Sequence, residues 1–113
     1  MSNPREIKFR VWDKNQKRMR FLDLSSSDFG DPSWLNAGVL MQYTGLTDRH
    51  GVEIYEGDIA SYETSTDMPK GEIVPISGGY SWKHAGIEFY LWDMYKSKIK
   101  VIGNVWENKD LLK

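Results

Sequence analysis

Apolar and ionic side chains alternate one for one along two short stretches near the start of this 113-residue chain. Ile7, Phe9 and Val11 interleave with Lys8, Arg10 and Trp12, and Met19 and Phe21 interleave with Arg18 and Arg20. A period of two sends successive side chains to opposite sides of an extended backbone, so both stretches read as strands with one face against a core. The polar run from Asp13 to Lys17 between them reads as a turn. A five-residue loop sets Val11 opposite Met19 and Phe9 opposite Phe21 on an inner face. The outer face then displays Trp12 opposite Arg18 and Arg10 opposite Arg20, with Lys8 beside them.

The same punctuation continues downstream. Residues 25 to 38, with three serines, Gly30, Pro32 and Gly38, read as an irregular connection with a short helical turn over Ser33 to Asn36. Val39 to Tyr43 is a strand, Asp48-Arg49-His50-Gly51 has the composition of a tight turn with Gly51 at positive φ, and Ile54-Tyr55 is a short extended piece. After the Gly57-Asp58 bend, about five short strands follow at turn-sized intervals: Ile59 to Glu63, Glu72 to Ile76, Tyr80 to Lys83, Ile87 to Trp92 and Ile99 to Trp106. Pro75 lacks an N–H and predicts an edge position for its strand, and Gly103 predicts a bulge. Asn108 is an N-cap for a last turn that docks Leu111 and Leu112. The expectation is a mainly β single domain over 1–113, with an N-terminal hairpin lobe over 1–46 and a small SH3-like barrel over 53–113. An α+β fold with one short helix is the alternative.

A chain that is 40% apolar and 13% aromatic buries enough surface to fold. It has no cysteine, which excludes disulfides, thiolate nucleophiles and cysteine zinc sites, and agrees with a reducing cytosol. The opening Met1-Ser2-Asn3-Pro4-Arg5-Glu6 lacks the apolar stretch of a signal peptide, and no run approaches the roughly 18 apolar residues of a membrane span.

The formal net charge is −1, but the charge is unevenly placed. Residues 1 to 20 carry seven cations against two carboxylates, and residues 21 to 72 carry two against ten. The outer hairpin face, with Lys8, Arg10, Trp12, Arg18 and Arg20, is the strongest candidate binding surface, because cations flanking an aromatic suit phosphate neutralisation and base stacking. The competing reading is a solvated face with Arg18 stacked on Trp12. A third reading docks the basic hairpin of one copy against the acidic middle of another.

Other groupings are weaker. Glu53, Glu56 and Asp58 offer oxygen ligands for a hard cation, but their spacing is not that of a calcium loop, and Asp58 reads as a bond acceptor for backbone amides at the bend. His50 belongs to a turn, and His84 joins a site only through tertiary contact. Ser25 to Ser27 lack a nucleophile-elbow context, and Gly78-Gly79 lacks the following helix of a phosphate loop. No catalytic, metal or cofactor set emerges. A cleft gathering Glu53, Asp58 and His84 is what an enzyme would need.

Three blocks read together carry a family resemblance: Arg5 to Asp13; Leu40-Met41-Gln42-Tyr43-Thr44-Gly45-Leu46 running into Gly51 to Ile59; and Val101 to Asn108 with Leu111-Leu112. In that order and placement they resemble the YopX family of phage and prophage proteins, with Lys109 where the family usually has proline. The stretches 22 to 37 and 63 to 97 carry no such signal. The resemblance implies phage origin, a β-rich fold, self-association and no established activity. The resulting expectation is a non-catalytic, homo-oligomeric accessory module in the bacterial host cytoplasm, contacting host or phage proteins. Nucleic-acid binding through the hairpin is the alternative.

Overall fold

The computed structural model describes residues 7–22, 38–64, 67–94 and 96–112, and among these the chain is mainly β, as the alternation predicts. The first antiparallel sheet has the order β2-β1-β3-β4, built from β1 (Phe9–Asp13), β2 (Arg18–Leu22), β3 (Gly38–Thr47) and β4 (Glu53–Tyr55). The second has the order β8-β7-β6-β5-β9 and curls into a half-barrel. Its strands are β5 (Asp58–Tyr62), β6 (Lys70–Ile76), β7 (Gly79–His84), β8 (Ile87–Tyr90) and β9 (Ile99–Asn104), the five expected after Asp58. Helical content among the described residues is three short 3-10 turns, Leu91–Asp93, Lys96–Lys98 and Lys109–Leu112, so among them the mainly β reading holds over the α+β alternative. The expected connection over 25–38 and the helical turn at Ser33 to Asn36 lie outside the described residues, save Gly38 at the start of β3.

The first hairpin forms, one residue out of the expected register. Asp13 Oδ1 accepts the N–H groups of Asn15 and Gln16 at 2.9 and 3.0 Å, and Lys17 adopts φ 54° and donates to the Asp13 carbonyl. This side-chain-nucleated turn leaves four residues in the loop instead of five. Val11 therefore pairs with Arg20, Trp12 with Met19 and Arg10 with Phe21. Because the side-chain period is two, one residue of slip exchanges the faces of β2 relative to β1.

Turn chemistry elsewhere is as the residues dictate. Asp48 Oδ1 accepts from His50 and Val52 while Gly51 takes φ 82°, and Gly57 at φ 83° turns the chain into β5. Pro75 sits in an interior strand, contrary to the edge expectation: β6 pairs with both β5 and β7. Its β5 pairing ends at Glu72, however, so the side of Pro75 away from Tyr80 has no ladder partner to lose. The bulge at Gly103 is present, with Ile59 opposite Gly103 and Ala60 opposite Val101. Asn108 differs from the expected cap. Its Oδ1 accepts the Asn104 N–H at 3.1 Å, lying where any Cβ on Gly103 would stand. The final turn presents a half-buried Leu111, while Leu112 stays exposed.

The core joins the two sheets. Leu46 and Ile54, from the second half of β3 and from β4, pack with Ala60, Ile73, Tyr80, Trp82, Leu91 and Ile99 inside the half-barrel. Glu53–Tyr55, expected with the barrel lobe, thus pairs with β3 and seals the concave side. Polar staples reinforce the junction. Asp48 Oδ2 accepts the Val101 N–H at 2.9 Å, and Tyr80 donates to Gln42 at 3.2 Å. Burial raises the Asp48 carboxyl, but the backbone N–H groups of Val101, Val52 and His50 outweigh it and hold the group below its ordinary value of 3.8.

Candidate functional site

The five residues expected on one outer hairpin face do not share one. Arg10 and Trp12 are buried, at 6% and 8% exposure, on the side facing the second sheet. Arg10 donates to the Glu56 carbonyl at 3.0 Å, pairs with Asp58 at 2.7 Å and lies over the Tyr55 ring, while Trp12 stacks on Trp106 with centroids 6.3 Å apart. Lys8 pairs with Glu53. Arg20 and Arg18, opposite Val11 and Asp13, fall on the other side of the sheet. The physical reason is the slipped register, together with the central position of β1, which buries both its faces.

Glu53, Asp58 and His84 are likewise held apart by their own partners. Besides Arg10, Asp58 accepts the Tyr55 N–H at 2.8 Å, the backbone role expected of it. Burial pushes its carboxyl up, against the pull of Arg10 and of the Tyr55 amide. Burial also pushes the Tyr55 hydroxyl up to about 12, aided by the Glu53 carboxylate. Glu56 accepts the Gln42 N–H. His84 bonds the Lys70 carbonyl through Nδ1 at 2.8 Å, which requires its proton on that nitrogen. Among the described residues no three His, Asp or Glu side chains are grouped to hold a metal ion, and no helix is long and apolar enough to cross a membrane.

What the fold does assemble is an aromatic groove at one end of the half-barrel. Trp82 is its floor. The indole lies across Gly71 of the neighbouring strand and donates to the Ala60 carbonyl, one strand further, at 2.8 Å. A Cβ at Gly71 would stand 2.5 Å from the indole, so glycine is required there. Tyr62 and Phe89 flank Trp82 at centroid distances of 6.2 and 5.9 Å, both tilted, and His84 stacks on it at 5.5 Å. The hollow encloses about 730 Å³, within the range of ligand sites. Among the described residues Asp67, Glu88 and Asp93 line it and no Lys or Arg does, with Glu88 opposite Lys83 on the other side of β8 from Phe89.

Its open rim is β8, the edge of the second sheet, and every residue of that strand is exposed. Ile87, Phe89 and Tyr90 stand 57%, 49% and 42% open, and Trp92 follows at 51%. An edge strand with apolar side chains and unpaired backbone groups is a template for another chain. In the sequence Ile87, Phe89 and Leu91 alternate with Glu88, Tyr90 and Trp92. Only Leu91 is buried, because the backbone leaves the sheet at Tyr90 and turns it inward.

No curated protein matches this chain. The crystal structure of protein EF1440 from Enterococcus faecalis is similar to it over 96% of this chain and 99% of that one, with a TM-score of 0.68 and 29% identity. The YopX protein family matches residues 22–113, which takes in the second and third sequence blocks and leaves Arg5 to Asp13 outside. With that share of its length matched, the chain belongs to the YopX family.

Proposed function

We propose that the protein is a non-catalytic accessory protein of a phage or prophage, acting in the host cytoplasm as an interaction module, with the β8 edge and its aromatic groove as the contact surface. Family membership supports the origin. The exposed apolar edge strand bordering a preformed hollow carries the rest. A partner segment pairing with β8 completes the ladder and drops alternate side chains into the groove, the strand-addition mode of peptide recognition.

The occupant that the chemistry favours is an extended segment of a partner protein bearing arginine or lysine. Among the described residues Asp67 and Asp93 line the hollow with no Lys or Arg beside them, and the half-open Phe89 and half-buried Tyr62 rings offer faces to a cationic head group. The hairpin surface that motivated nucleic-acid binding is not displayed, since Arg10 and Trp12 are buried.

Calorimetric titration with two short peptides, one alternating valine with arginine and one valine with glutamate, tests this. The arginine peptide binds, Phe89→Ser abolishes the heat, and Asp67→Asn with Asp93→Asn weakens affinity by about tenfold, or ~1.4 kcal/mol. Equal affinity for both peptides, or none for either, contradicts the reading. A stable dimer in light scattering that Ile87→Lys splits would instead give the edge to a second copy.

A further inference from the structure

The outer face of the second sheet carries a feature of opposite sign. Ser61 pairs with Lys70 on one side and with Lys100 on the other, so the three side chains stand in a row across β6, β5 and β9. Arg49 is brought to the row because its backbone N–H donates to the Ile99 carbonyl at 3.0 Å, and Lys98 because its carbonyl accepts the Glu63 N–H at 2.9 Å. Arg49, Lys70, Lys98 and Lys100 line one shallow hollow of about 160 Å³ with Ser61, Glu63, Met68 and Ile102. Among the described residues Glu63 is its single carboxylate, and it is paired with Arg49. Among the described residues no carboxylate lies within ion-pair distance of Lys70, Lys98 or Lys100. The next acid on that face of β6, Glu72, is opposite Lys83.

This is a concentration of positive charge in a chain whose net charge is −1. Strands about 4.8 Å apart place the Lys70 and Lys100 columns roughly 10 Å apart, close to one Debye length at 0.1 M salt, so their fields overlap over the Ser61 hydroxyl between them. A polyanion laid along the row relieves that repulsion and releases its own condensed counterions. Among the described residues the hollow offers Met68 and Ile102 but no aromatic ring on which a base could stack, so contact is to phosphates without base readout.

We propose that the Lys70-Ser61-Lys100 row, with Arg49 and Lys98, is a contact site for the phosphodiester backbone of a nucleic acid, independent of the groove on the opposite face. Binding there is sequence-independent and strongly salt-dependent.

Fluorescence anisotropy of a labelled oligothymidylate and of a mixed-sequence duplex, titrated with the full chain at several salt concentrations, tests it. For three neutralised phosphates the logarithm of affinity falls against the logarithm of salt with a slope between about −2 and −3. Lys70→Ala and Lys100→Ala each reduce that slope by about one, whereas Lys14→Ala on the hairpin and Phe89→Ser in the groove leave it unchanged. Inorganic phosphate added at equal ionic strength does not displace the strand. If it does, the site takes free phosphate and the polymer assignment is overturned. No binding at low salt, or a slope indifferent to Lys70→Ala and Lys100→Ala, overturns the site itself.

Discussion

The Arg10 guanidinium and the Asp58 carboxylate meet 2.7 Å apart where the two sheets join, both nearly removed from water. One comes from the middle of β1 and the other from the first position of β5, so the pair ties the N-terminal hairpin to the half-barrel. Removing one partner strands a buried charge. Arg10→Met is expected to cost about 3–5 kcal/mol in urea unfolding, and adding Asp58→Asn to it is expected to recover part of that loss. A double variant as unstable as the sum of its singles would contradict the coupling.

Asp48 gives the fold a pH dependence of defined sign. Its folded-state value lies below the ordinary 3.8, so the carboxylate contributes stability that is full above that pH and is lost as pH falls through the lower folded value. Asp48→Asn keeps one acceptor oxygen and cannot serve all three amides, which costs about 1–3 kcal/mol at neutral pH. The gap between wild type and variant, read from urea midpoints, is expected to narrow below pH 3.8.

Gly71 is the steric condition for the groove floor. Gly71→Ala places a Cβ 2.5 Å from Trp82 Cε2 and 2.8 Å from the Lys83 carbonyl oxygen, so the indole must leave its seat over β6. A loss of about 1–3 kcal/mol is expected, with a red shift of tryptophan emission as the ring gains water. Unchanged stability and emission would show that the floor does not depend on this close approach.

Much of the scaffold is legible in the residues. Strand character at Phe9 to Val11 and turn chemistry at Asp48 to Gly51, at Gly57-Asp58 and at Gly103 each have a local cause and are found where they were expected, while Ile7 lies outside β1 and is exposed. The hairpin register was not legible in that way. It turns on whether Asp13 folds back on its own loop and whether Lys17 takes positive φ, and one residue of difference put Arg18 and Arg20 on the face away from Arg10 and Trp12, which the central position of β1 buries. Neither candidate surface is local. The groove joins Tyr62, Trp82 and Phe89 from three strands, and the cationic row draws on residues 49, 70, 98 and 100. Charge counted along the chain misses such a cluster, since Arg49 and Lys70 lie within an acidic segment.

Hydrogen exchange of the full chain with and without the valine-arginine peptide tests the central claim, that β8 and its groove receive an extended cationic segment. Slower exchange at residues 87–90, with Asp67→Asn and Asp93→Asn together reducing that protection, is the predicted result. Peptide binding that leaves those amides exchanging at their free rate would contradict it.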